Sequence, residues 1–315
     1  MQGMLEGFEA PSTRSADVAR VLVDVDLPHM DRPLDYIVPA GLADAAVVGS
    51  LVRVRLSSAR IDGWIVERIR REVGEGTASL ESVVSSTPVL APSIYETARR
   101  IAARFLATTS QVLSLAIPPR HARAEREARD ENAPTWPTVT SDHVGLGWEA
   151  YPAGEALVSR LRAGESPRAI ATMLRPRLRG CLSEAVASTV ASRRSVIVVT
   201  ATGEQAGRYA RELSEDLSIP VSLAGSEVAA EKRYRLHVAA SLGRVPVVVG
   251  TRSAVWVPCS RLGLIIIVDD GDDRLRERRF PRCDALDVAV QRCAVEGSGL
   301  LVASSARSVK AQALV

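Results

Sequence analysis

Gly250 to Asp273 reads GTRSAVWVPCSRLGLIIIVDDGDD, and this stretch decides the fold. Its middle, Leu264-Ile265-Ile266-Ile267-Val268, is an unbroken aliphatic and β-branched run. Such a run fits a strand buried on both faces in the middle of a parallel sheet. It stops abruptly at Asp269, Asp270, Gly271, Asp272 and Asp273. Open α/β sheets bind ligands at the carboxyl ends of their strands. In nucleotide-driven motors that position carries a magnesium-holding Asp followed by an acid that orients water. A strand followed by a solvated acidic turn has the same spacing, and the run alone does not choose between the two.

Working outward, the C-terminal half alternates strand and helix. Residues 195–200, 245–250, 264–268 and 300–304 read as buried strands, and 204–215, 227–242 and 283–296 have helical spacing. Parallel strands need such crossovers, so the pattern predicts a doubly wound α/β lobe over residues 151–315. Upstream, residues 118 to about 150 carry mixed charge, several prolines and no sustained apolar period. They are expected to be a linker, 120–150 in the domain division. Within it His121 to Glu127 fits a short helix or a solvated charge run.

Residues 1–17 are polar and lack periodicity, and are expected to be a loose, disordered tail. The next hundred residues predict a small β-barrel or sandwich over 18–119. Val18 to Asp26 alternates; Leu34 to Pro39 is a short strand. Val52, Val54 and Leu56 share one face of the next strand, with Arg53 and Arg55 on the other. Another strand follows the Asp62-Gly63 turn. A helix from Pro92 to Ala107, with Ile94, Ala98, Ile101 and Phe105 on one stripe, is expected to pack over this β unit.

At 315 residues there is room for two modest cores. Hydrophobic content of 46% with 4% aromatics suits an aliphatic α/β protein. No run reaches the ~18 apolar residues that span a bilayer, and the N-terminus lacks a secretory signal pattern, so the expected compartment is the cytoplasm. Net charge is only +3, short of the footprint of a strongly electrostatic DNA binder. Cys181, Cys259, Cys283 and Cys293 have no zinc spacing; neither a metal site nor a disulfide framework is expected.

At these residues a family resemblance enters. Gly250-Thr251-Arg252-Ser253-Ala254, the aliphatic strand and the acidic cluster resemble the helicase core of primosomal protein N′ (PriA), the family that restarts stalled replication forks. The family's Asp-Glu-Glu-His reads Asp269-Asp270-Gly271-Asp272, as in the branch whose motor has decayed. Val23 to His29, Asp31-Arg32-Pro33-Leu34-Asp35-Tyr36, Val52-Arg53-Val54-Arg55 and Leu80-Glu81-Ser82-Val83 resemble the family's 3′-DNA-binding domain. The resemblance implies a pocket for the 3′ end of a nascent strand at a fork. Asp35 would bond the terminal nucleotide beside Tyr36, with Leu34, Ser57 and Arg53 also candidate DNA contacts. Leu34 replaces the family's Phe, removing a stacking surface worth ~1–3 kcal/mol per base. Ser57 stands for a pocket Gly, and Glu81 for a basic residue. Ala303-Ser304-Ser305-Ala306-Arg307-Ser308 occupies the place of a Gly-Ser-Ala-Thr-Pro-Ser motif and lacks its Thr-Pro. The family also uses ATP and magnesium, binds zinc in a region with its second lobe, expected beyond Val315, and meets primosome proteins and a replicative helicase.

A working motor needs G-x-x-x-x-G-K-[ST], whose glycines let backbone N–H groups wrap phosphates while Lys neutralises them. The expected place, Ala169 to Cys181, reads AIATMLRPRLRGC, with one glycine, no Lys, and Pro176 removing a donor. Lys232 and Lys310 are the chain's lysines and lie too far on. Asp269 and Asp270 are then a degenerate acidic pair without expected catalysis or cofactor. The reading is a fork-binding replication-restart protein without a motor; the alternatives are an active ATP-dependent 3′→5′ helicase or an inactive truncated fragment.

Overall fold

The computed structural model describes residues 13–132, 134–139 and 147–315. Contacts divide the chain into two compact units, Met1–Leu90 and Ala91–Val315. The expected tail at residues 1–12 lies outside the described residues, whereas 13–17 already belong to the first strand.

The first unit is an antiparallel sheet of β1 (Thr13–Val23), β2 (Leu34–Ile37), β3 (Leu51–Leu56), β4 (Ala59–Gly74) and β5 (Ser82–Ser85). Its order is β2-β1-β4-β3-β5. The sheet closes on itself just before β5: Ile37 N–H donates to Ala78 O at 2.8 Å, and Leu80 N–H donates to Ile37 O at 2.9 Å. Closure removes the open edges of a five-stranded sheet. A register shift at Arg20/Val21 bends β1 against β4. Alternation sends Ala19, Val21, Tyr36, Val52, Val54, Ile65 and Leu80 into one core, so binary patterning was a sound guide here.

The second unit begins with α1 (Pro92–Phe105), α2 (Thr109–Ala116), α3 (Ala122–Asp130) and α4 (Gly154–Arg162). Then come β6 (Arg168–Thr172), α5 (Arg175–Ala191), β7 (Ser195–Val199), α6 (Gly203–Leu217), β8 (Val221–Ala224), α7 (Ala230–Ser241) and β9 (Val247–Gly250). β10 (Leu262–Val268), α8 (Ala285–Glu296), β11 (Gly299–Ser304) and α9 (Val309–Gln312) complete it. The strands pair in parallel in the order β6-β11-β10-β7-β9-β8. All seven residues of β10 are buried, between β11 and β7. Burying each large aliphatic side chain contributes ~1.5–3 kcal/mol, so Ile266→Asp would break the lobe.

Three local expectations are corrected. Helix α1, expected over the β strands, lies against α2 and α8 in the second unit. The charge run His121 to Glu127 is more than a solvated stretch: it is α3, packed on α7 through one face while Arg123 and Arg126 stay exposed. His121 Nδ1 caps it by accepting from Ala124 N–H at 3.3 Å, and Ala124 and Ala128 are buried. Glu125 is buried too, and accepts from Arg120 Nε at 2.8 Å and Tyr234 Oη at 3.0 Å. A buried carboxylate so paired holds the helix in one register. Third, the stretch read as a loop from Ala169 to Cys181 is a strand and a helix. Pro176 lies in the first turn of α5, where a proline's missing N–H has no intrahelical partner to lose. The stretch expected as a linker is anchored at Trp136, whose Nε1 donates to Val190 O at 3.0 Å, and Trp148, whose Nε1 donates to Cys181 O at 2.9 Å.

Candidate nucleic-acid interface

In the barrel, β2 presents Asp35 on the face away from the core. Tyr36 turns inward and is buried, and Leu34 packs partly against the same core. Burial pushes the Tyr36 phenol up from its ordinary range, and its hydroxyl donates to Arg55 O at 3.3 Å. The predicted pair is therefore split: Asp35 is reachable, and the Tyr36 ring offers no stacking surface. Asp35 Oδ2 accepts from Arg71 Nη1 at 2.6 Å, and Oδ1 lies 3.6 Å from Arg20 Nε. Arg20 Nη1 also donates to Glu67 Oε2 at 2.7 Å.

The other candidates lie elsewhere on the barrel. Ser57 occupies the β3–β4 turn with φ at +56°, a left-handed conformation that favours glycine. Ser57→Gly would relieve that strain. Arg53 pairs with Asp62 at 2.7 Å. Glu81 pairs with Arg55 at 3.0 Å and Arg60 at 2.9 Å. A carboxylate where a cation was expected is thus balanced by two arginines of the β3–β4 hairpin.

In the α/β unit the acidic cluster lies beyond the carboxyl end of β10. Each of its first three carboxylates is engaged by a different group. Asp269, itself at φ +54°, lies 3.3 Å from Arg175 Nη2. Asp270 is buried; Ser304 Oγ donates to its Oδ1 at 2.6 Å, and Ser308 Oγ donates to Oδ2. Asp272 caps the short helical turn after it and accepts from Arg274 N–H and Nε, both at 2.9 Å. The Arg274 guanidinium holds the Asp272 carboxyl below its usual range. The carboxylates diverge to separate partners, and no group of three or more His, Cys, Asp or Glu able to hold a metal ion is found among the described residues.

Strand β6 runs beside β11, one strand from β10. Only Met173 and Leu174 separate it from α5. Met173 N–H donates to Ser304 O at 2.9 Å, and Arg177 N–H to Leu174 O at 3.0 Å. The Met173 amide is thus spent within the chain, in a connection of two residues, and the Arg177 amide in the first turn of α5. Arg175, the first residue of α5, extends to Asp269 across this end of the sheet. Gly180 lies inside α5, not in a loop.

Sequence reasoning missed a cleft of ≈470 Å³ past the ends of β8 and β9. Gly225, Ser226, Arg233, Thr251, Arg252 and Arg279 are among the residues lining it. Gly250 permits its shape, since a Cβ there would stand 1.8 Å from Ala224 O. Arg252 Nε donates to Glu277 Oε2 at 3.1 Å. Burial works against the charge on Glu277, but the Arg279 and Arg278 N–H groups and the Arg252 guanidinium outweigh it and hold the carboxyl below its usual range. The signal was present in Gly250-Thr251-Arg252-Ser253, a glycine at a close approach followed by a cation.

Residues 20–118 match the family model described as the 3′DNA-binding domain of PriA. Two proteins named probable replication restart protein PriA are similar over 296 residues, or 92% of this chain. That of Mycobacterium tuberculosis is 36% identical, and that of Mycobacterium leprae 31%. The chain spans 44% and 45% of their respective lengths. The solved structure of RecG bound to a three-way DNA junction matches 96% of this chain and 50% of that one, at 14% identity and a TM-score of 0.38. That score is too low to carry an argument.

Proposed function

Because the chain belongs to the PriA replication-restart family, we propose that it holds DNA at stalled forks as a scaffold without a nucleotide-driven motor. Residues 20–118 are its 3′DNA-binding domain. Asp35 is the contact for a nascent 3′ end, with Arg53 and the Ser57 turn further along the DNA. The cleft with Arg233, Arg252 and Arg279 takes phosphate backbone, since clustered guanidinia are suited to phosphate oxygens. Primosome proteins and a replicative helicase are the proposed partners, and the cytoplasm the proposed compartment. No described helix is long and apolar enough to cross a membrane.

The observation that carries the motorless reading is the two-residue β6–α5 connection, closed over by Arg175 on Asp269. Magnesium is ordinarily held by one or two carboxylates together with phosphate oxygens. Here Asp270 is already bonded to two serines, and the phosphate cradle has no length.

The test is fluorescence anisotropy on forked DNA with and without a free nascent 3′-OH, at two salt concentrations, with Asp35→Ala alongside. ATP turnover is measured on the same forks. The expected result is a 3′-OH preference that Asp35→Ala abolishes, with ATP turnover at background. DNA-stimulated hydrolysis would refute the motorless reading, and salt-sensitive binding indifferent to the end would refute the end contact.

A further inference from the structure

We propose that Arg20 and Arg71 set the chemistry of the DNA end that Asp35 accepts. They would contact the last internucleotide phosphate while the Asp35 carboxylate takes the terminal hydroxyl proton in a hydrogen bond. This rests on the reading of Asp35 as the end contact and adds the residues that hold the last phosphate beside it. Asp35 is engaged on both oxygens by guanidinia from two different strands, Arg71 of β4 at 2.6 Å and Arg20 of β1 at 3.6 Å. Arg71 lies opposite Ala16 in the β1–β4 register, where the small side chain leaves its path to β2 open. Arg20 stands opposite both Asp35 and Glu67 and is oriented by its second bond, to Glu67.

The pairs are partly exposed, with side-chain exposures of 53% for Arg71, 38% for Arg20 and 30% for Asp35. Exposed ion pairs are weak and screened, so a phosphate can take over a guanidinium that Asp35 has oriented. Arginine's planar fork matches phosphate oxygens. The charges of Arg20, Arg71, Asp35 and Glu67 cancel, so the cluster does not gather internal phosphates indiscriminately. A neutral hydroxyl beside one phosphate monoanion fits it. A 3′-phosphate would set its added charge against the Asp35 carboxylate, and like charges repel.

The experiment uses the full chain and single-stranded oligonucleotides of one sequence ending in 3′-OH or 3′-phosphate, titrated over a salt series. The wild type should prefer the 3′-OH end by about tenfold, as expected for one hydrogen bond to a charged group. Arg71→Gln and Arg20→Gln should each weaken binding of the 3′-OH oligonucleotide several-fold and lower the salt slope by about 1. Asp35→Asn, which keeps the shape and removes the charge, should invert the preference toward 3′-phosphate. Arg99→Gln, removing an exposed arginine paired to Glu96 on α1, controls for net charge. A wild-type preference with both arginine variants binding like Arg99→Gln would overturn the inference and leave the end contact standing. So would an Asp35→Asn variant that loses the 3′-OH preference and gains nothing for 3′-phosphate. A wild type blind to the end would instead overturn the end contact itself.

Discussion

Arg292 is fully buried on α8 and ties Val255, the residue after the GTRSA segment, to that helix. Its Nη1 donates to Val255 O at 2.5 Å and its Nε to Glu296 Oε1 at 2.6 Å, while Glu296 is only 8% exposed. Its Nη2 has no hydrogen-bond partner among the described residues. Truncation by Arg292→Ala strands a buried carboxylate and a buried carbonyl together. Breaking one side of a buried pair costs about 3–5 kcal/mol, a large share of the 5–15 kcal/mol that stabilises a typical domain. For a unit running from Ala91 to Val315, each kcal/mol lowers Tm by about 2–4 °C, so a drop of roughly 10 °C is expected. The pair's net worth is far smaller, because desolvation of two ions and the orphaned Nη2 offset its attraction. Arg292→Met with Glu296→Leu should therefore recover most of the loss. Urea denaturation followed by circular dichroism measures all variants. A single truncation costing under ~1 kcal/mol, or a double variant as unstable as the two singles summed, would refute this account of the pair.

Leu106, the C-cap of α1, is 90% exposed at φ +53°, so Leu106→Gly relieves left-handed strain at a position where glycine is the common choice. It should raise stability by about 0.5–1 kcal/mol, read as an upward Tm shift with unchanged DNA binding. Arg179, helped by Ser183, holds the Asp216 carboxyl below its ordinary value of 3.8. A depressed carboxyl contributes stability above its unfolded value and loses it as pH falls through the lower folded one. Asp216→Asn should thus destabilise by up to ~1 kcal/mol at neutral pH, the range of a screened pair, and by progressively less in melts taken below pH 4. An equal loss at every pH would show that its charge is immaterial.

The parallel core was legible because its strands are buried on both faces. β7, β9, β10 and β11 lie where continuous aliphatic runs predict them, within two residues at each end. β6 was not legible: Arg168 to Thr172 is short, alanine-rich and half exposed, with no periodicity to separate it from a loop. Arg175-Pro176 fits a helix start as well as an interrupted phosphate loop, and only the geometry of α5 separates the two. α3 was hidden because its burial depends on Tyr234, more than a hundred residues away. At the candidate end site, Asp35 was legible through its motif, and alternation along β2 already separated it from Tyr36. Arg20 and Arg71 were not, because strand register, not sequence spacing, brings them to Asp35.

The barrel's closure has a consequence for synthesis. The hydrogen bonds that seal β2 come from Ala78 and Leu80, on the far side of the long β4. A nascent chain that has emerged only as far as Gly74 carries β1 to β4 with both β2 and β3 as open edges. Residues 78–85 therefore work as a clasp, and until they leave the ribosome the nascent barrel remains a template for pairing with other chains.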